Sequence, residues 1–107
     1  MADITGSLTM CRRAGKLVLG MDEVKNACRS KKAIGVIVAK DLSERSLGEI
    51  AYTCATEGIK LYRTDCTMDD IGYALGKVYG TIAVTDAGFM KSMAKKSQEL
   101  DAESIGY

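Results

Sequence analysis

The side chains most capable of chemistry gather around one glycine. Lys16 precedes Gly20, while Met21, Asp22 and Glu23 follow it, and Lys25, Asn26, Arg29 and Lys32 continue at helical spacing. Carboxylates accept hydrogen bonds from N–H groups such as those on base edges, and ammonium and guanidinium groups neutralise phosphates. Gly20 lets another backbone come close at the start of the helix. Together these residues suit a polyanion that also exposes base edges. Asp22 and Glu23 have a plainer role as well, because acids at a helix start offset the helix dipole.

The remaining candidates for chemistry are sparse. The chain has no histidine, so acid–base catalysis would have to rest on carboxylates, cysteines or lysines. Asp69-Asp70 could be a pair of catalytic acids, but their place at a helix start is what a dipole favours. Asp41 follows the most apolar segment, where α/β proteins often carry function, and it is also a common loop residue. Cys66 stands beside Thr67 at a helix start that could lower its pKa, yet no resolving cysteine or histidine accompanies it. The cysteines at 11, 28, 54 and 66 form no C-x-x-C pair, which argues against zinc and for buried free thiols in a reducing compartment. Neither a phosphate-loop pattern nor G-x-G-x-x-G is present, so no nucleotide cofactor is expected. The reading is of a non-enzymatic protein without metal or cofactor.

Positioning these residues falls to a regular alternation of elements. A chain of 107 residues, 47% of them apolar, suffices for one domain. Ile4, Leu8 and Cys11, with Gly15 behind them, predict a first helix, and Leu17-Val18-Leu19 a brief strand closed by Gly20. Met21, Val24, Ala27 and Cys28 then form the buried side of a second helix whose opposite side carries Lys25, Arg29 and Lys32. The run Ile34 to Ala39 reads as a central strand covered on both faces. Ser43 caps a helix that buries Leu47, Ile50, Ala51 and Cys54 and ends at Gly58. Ile59 to Arg63 alternates like a strand with one partly exposed face. Thr67 and Asp70 resemble a capping box, opening a helix that buries Ile71, Ala74 and Leu75 and stops at Gly76. Gly80 to Val84 gives a fourth strand, followed by a helix with Phe89, Met90 and Met93 on its apolar side. The expected architecture is an α/β fold, with helices on both faces of a four-stranded sheet. Residues 1–96 would form the domain and the polar segment 97–107 a frayed tail.

Charge is uneven along this frame. Residues 1–40 carry eight Lys and Arg against three acids, whereas residues 41–107 carry seven against eleven, so the first third should build a basic face. The N-terminal residues lack a basic n-region and a long apolar core, and no segment reaches transmembrane length, so a soluble cytoplasmic protein with no membrane partner is expected.

Five segments resemble, in order and spacing, motifs of the kink-turn RNA-binding ribosomal proteins. These are Arg13 to Val18, Gly20 to Val24, Ile37 to Asp41, Asp70 to Lys77 with its I-G-x-A-x-G-K pattern, and Ala83 to Asp86. The family is the superfamily of L-seven-Ae, L-thirty-e, S-twelve-e and Gadd-forty-five proteins, and the chain is most similar to its small bacterial ribosome-associated members. The resemblance covers about residues 4 to 93. It implies a three-layer α/β/α sandwich around a mixed four-stranded sheet, and a monomer that binds structured RNA, with ribosomal RNA carrying a kink-turn as partner and ribosomal proteins as neighbours. It further implies RNA contacts from Lys16, Gly20, Met21, Asp22, Glu23, Lys25, Asn26, Arg29 and Lys40, and from the loop Val84, Thr85, Asp86, Ala87 and Gly88. Glu23 would accept from guanine N–H groups, with Lys16, Lys25 and Arg29 on phosphates either side of the bend. Two positions depart from the family pattern: Asp22 replaces the asparagine of archaeal members and Asn26 the lysine of many. An alternative is a protein-interaction module of the same fold that has lost tight RNA binding.

Overall fold

Alternation along short strands divides the apolar side chains into two sets, and that division sets the architecture. In the computed structural model, which describes residues 4–105, the helices are α1 (Thr5–Arg13), α2 (Met21–Arg29), α3 (Glu44–Glu57), α4 (Met68–Leu75), α5 (Ala87–Ala94) and α6 (Ala102–Ile105). The strands are β1 (Leu17–Leu19), β2 (Gly35–Val38), β3 (Lys60–Arg63), β4 (Thr81–Val84) and β5 (Gln98–Leu100). They form one sheet in the order β1-β4-β2-β3-β5. Only the β2–β3 pairing is parallel, so the sheet is mixed. Ile37, Tyr62, Ile82 and Val84 point to the face covered by Ile4, Leu8 and Cys11 of α1, Ile71 and Leu75 of α4, and Met90 and Met93 of α5. Val36, Val38, Leu61 and Ala83 point to the other face, against Val24 and Cys28 of α2, Ile50 and Cys54 of α3, and Ala102 and Ile105 of α6. The result is the three-layer α/β/α sandwich that the resemblance implies.

Two expectations require correction. The sheet has five strands, not four. The fifth, β5, lies in the segment expected to fray and pairs antiparallel with β3, Leu61 opposite Leu100 and Arg63 opposite Gln98. Leu100, Ala102 and Ile105 pack on the second core, and this docking orders a stretch too polar to show a period. Strand β3, in turn, has no exposed face along its middle. Leu61 and Tyr62 point opposite ways and both are buried, because helices cover both sides of the sheet. Residues 1–3 of the expected domain and 106–107 of the expected tail lie outside the described residues.

Side-chain caps anchor the helices as their sequences predict. Ser43 accepts from the Ser46 N–H at 3.2 Å to start α3. At α4, Thr67 and Asp70 exchange side-chain to backbone bonds of 3.0 and 3.1 Å, a complete capping box. Asp41 accepts from the Met68 N–H at 2.8 Å, and Arg12 donates to the Leu75 carbonyl at the other end of the same helix. Asp41 and Asp70 therefore both serve the start of α4, and Arg12 its end. Cys66 is buried, as are the free thiols of Cys11, Cys28 and Cys54. Among the described residues no helix is long and apolar enough to cross a membrane.

Candidate nucleic-acid interface

Strand register decides which of the expected RNA residues meet. Leu17 pairs with Val84 and Leu19 with Ile82, so β1 and β4 run in opposite directions. The Gly20 N–H consequently donates to the Thr81 carbonyl at 3.1 Å, placing the start of α2 at the N-terminal end of β4. Antiparallel β2 ends there too, with Val38 opposite Thr81 and the Ala39 N–H on the Gly80 carbonyl at 3.0 Å. Gly20, Met21, Asp22, Glu23 and Lys40 thus collect at one end of the sheet. Asp22, Glu23, Asn26 and Lys40 are exposed there, and Met21 is half-buried.

Lys16 and the loop 84–88 stand at the opposite end. The Thr85 N–H donates to the Lys16 carbonyl at 2.9 Å, and Thr85 is four residues along the chain from Thr81, about 13 Å. Asp86 is held by its own loop, where it accepts from the Phe89 N–H at 2.9 Å as the cap of α5. Arg29, on the last turn of α2, is displaced from Asp22 by about 10 Å along the helix axis and shares the Lys16 end. The structure therefore divides the expected site into two groups.

The helix α2 also distributes its charges differently from the expected stripe. Lys25 turns toward α3 and forms an ion pair with Glu49, which leaves its side chain only 16% exposed. That ammonium group holds the Glu49 carboxyl below the usual glutamate range through hydrogen bonding and direct attraction. Lys32 lies beyond the helix, in the turn to β2. The outward row is instead Asp22, Asn26 and Arg29, at i, i+4 and i+7, with Glu23 on the flank away from Lys25. Gly20 adopts φ 94° as the cap residue and provides no side-chain acceptor, so the first-turn N–H groups of α2 have no side-chain cap.

Geometry adds a segment that pattern reading passed over. Residues 76–80 lead from α4 into β4, and Gly80 is flanked by the ends of β1 and β2, so this loop runs beside the start of α2. It presents exposed Lys77 and Val78, with the Lys77 ammonium 5.9 Å from the centre of the Tyr79 ring, and Tyr73 on the preceding helix is almost fully exposed. Its placement depends on two close approaches. A Cβ on Gly72 would lie 2.9 Å from Val78 Cγ2, and one on Gly80 would lie 2.6 Å from Leu42 Cδ1. The glycines of the I-G-x-A-x-G-K segment were the available sequence signal for this loop.

The junction end can thus offer carboxylate acceptors, uncapped helix N–H donors, the cations Lys40 and Lys77, the exposed Val78 and the half-exposed Tyr79 ring. Among the described residues no cluster of three or more His, Cys, Asp or Glu could hold a metal ion.

Comparison with known proteins places this arrangement. The chain is 29% identical over 87 residues to the large ribosomal subunit protein eL30B of Schizosaccharomyces pombe, a match spanning 79% of this chain and 74% of that protein. Its fold is similar to a solved protein of unknown function from Bacillus halodurans, with a TM-score of 0.80, 25% identity, and coverage of 89% of this chain and 96% of the other. The sequence profile of the Ribosomal protein L7Ae/L30e/S12e/Gadd45 family matches residues 2–94, and the chain belongs to that family.

Proposed function

We propose that this is a non-enzymatic, cytoplasmic, ribosome-associated protein that binds kink-turn or similarly bent RNA. The observation that carries the proposal is the convergence at one sheet end of the uncapped start of α2, exposed Asp22 and Glu23, Lys40 and the loop 76–80, in a chain of a ribosomal protein family. Glu23 accepts from guanine N–H groups exposed by the bend, Lys40 and Lys77 neutralise flanking phosphates, and the loop lies against an unstacked base. Asp22 and Asn26, where relatives carry an amide and a cation, lower the affinity expected for a standard kink-turn by removing one donor and one charge.

Gel-shift titration tests the proposal. Binding to a kink-turn RNA should fall steeply with salt and drop when the tandem G·A pairs become Watson–Crick pairs. Glu23→Ala should erode that discrimination. Equal affinity for both RNAs at every salt concentration would leave only generic polyanion binding. The alternative, a protein-interaction module, draws support from a groove between α1 and α5 lined by Ser7, Met10, Gly88 and Phe89, where Met10 is 62% exposed. Partners retained from a lysate after complete nuclease digestion would favour it.

A further inference from the structure

The far end of the sheet carries cations that the junction does not use. Register sets Lys16 and Ile34 on either side of Thr85, about 10 Å apart across β4, and Lys60 begins the next strand beyond β2. Arg29 closes α2 over this end. Lys32 follows, its N–H held 3.0 Å from the Ala27 carbonyl, and Arg13 ends α1 just before Lys16. The acids nearby are engaged: Glu57 takes Lys31 at 3.0 Å, Glu99 lies 4.0 Å from Lys60, and Asp86 caps α5. Arg13, Lys16, Arg29 and Lys32 are exposed and form no ion pair among the described residues. Helix dipoles account for Arg13 and Arg29, each at a helix C-terminus, but not for Lys16 or Lys32, which lie outside helices.

We propose that this end is a second RNA face, which holds the phosphates of a separate RNA segment while the junction holds the first. The inference rests on the RNA-binding reading above and extends it from one contact to a bridge between two segments. Lysine and arginine on strand ends and turns supply charge, so the second face binds duplex backbone with little regard to sequence. The junction, with its carboxylates, discriminates.

A sandwich capture assay tests the bridge. A minimal kink-turn RNA is immobilised, saturated with protein, and then offered a labelled plain RNA duplex. The wild type should retain the duplex without releasing the kink-turn RNA. The triple variant Lys16→Gln, Arg29→Gln, Lys32→Gln should keep the kink-turn RNA and lose the duplex, with the salt slope of direct duplex binding falling by about 2–3 units. Arg29→Gln alone should lower that slope by about one unit or slightly less, which preserves the test if the triple variant folds poorly. Displacement of the kink-turn RNA by the duplex, or undiminished duplex capture by these variants, would overturn the proposal. Capture of polyglutamate in place of the duplex would also overturn it and assign the face to an acidic protein. If the wild type fails to distinguish the kink-turn from its Watson–Crick control while direct duplex binding still depends on the three cations, the junction reading falls and the second face stands.

Discussion

Gly72 makes the positioning of the loop 76–80 measurable. Placing a methyl group there brings it 2.9 Å from Val78 Cγ2, 3.3 Å from Val78 Cα and 3.4 Å from Val78 N. The backbone contacts mean that rotating the valine side chain cannot relieve the crowding, so the loop must move. Replacing glycine by alanine within α4 gains about 1 kcal/mol of helix propensity, and overpacking costs about 1–3 kcal/mol. Gly72→Ala should therefore range from neutral to about 2 kcal/mol less stable. Gly6 on α1 is the internal control, since among the described residues nothing lies within 4 Å of a Cβ added there. Gly6→Ala should gain up to about 1 kcal/mol, so the two variants should differ by about 1–3 kcal/mol in urea denaturation. Only Gly72→Ala should also weaken kink-turn RNA binding. If it stabilises as much as Gly6→Ala and leaves RNA affinity intact, the loop does not rest on α4 in the way described.

Three further outcomes are expected. Burial and the nearby Asp86 carboxylate push the Cys11 thiol from its ordinary 9.0 to about 11, while the hydrogen bond that Cys54 donates to Cys28, together with burial, pushes Cys54 up and the same bond holds Cys28 below its ordinary value. Cys28 and Cys54 shift in opposite senses, so the linkage rests on Cys11: its raised value favours the native state below the unfolded thiol pKa, urea midpoints should decline as pH rises through 9 toward 11, and a flat profile would exclude this linkage. The lowered Glu49 pKa has the opposite sign: its contribution is present above the ordinary glutamate range and is lost as pH falls through the folded value. In Lys25→Met the Glu49 carboxyl, followed by NMR, should titrate closer to an ordinary glutamate, and an unchanged value would remove Lys25 as the cause. Deleting residues 97–107 removes β5 and α6, with Leu100 and Ile105 from the second core, and should destabilise the protein by about 2–4 kcal/mol in denaturant. Unchanged stability would return this segment to a loose tail.

Much of the frame was legible because its signals are local. The capping box at Thr67 and Asp70, the Ser43 cap and the left-handed Gly58 and Gly76 each depend on a few neighbouring residues, and each is where the sequence predicts it. The exceptions required a partner distant in the chain. A three-residue strand with one apolar side chain, Gln98–Leu100, has no period to read and exists through its ladder to β3. Lys25 had the spacing of an outward cation, but Glu49 on the neighbouring helix draws it aside.

The same distinction holds for the candidate site. The sequence by itself determined the alternation of elements, the identity of the polar groups around Gly20 and, through ordered motifs, the family. Those features lie in residue type and short-range spacing. Only the tertiary structure decided which of these groups stand together, because antiparallel register sends Gly20 to the Thr81 end of β4 and Lys16 to the Thr85 end. Sequence distance is a poor guide across such a pairing: Gly20 meets a loop about sixty residues away, while Lys16, four residues before it, belongs to the other face.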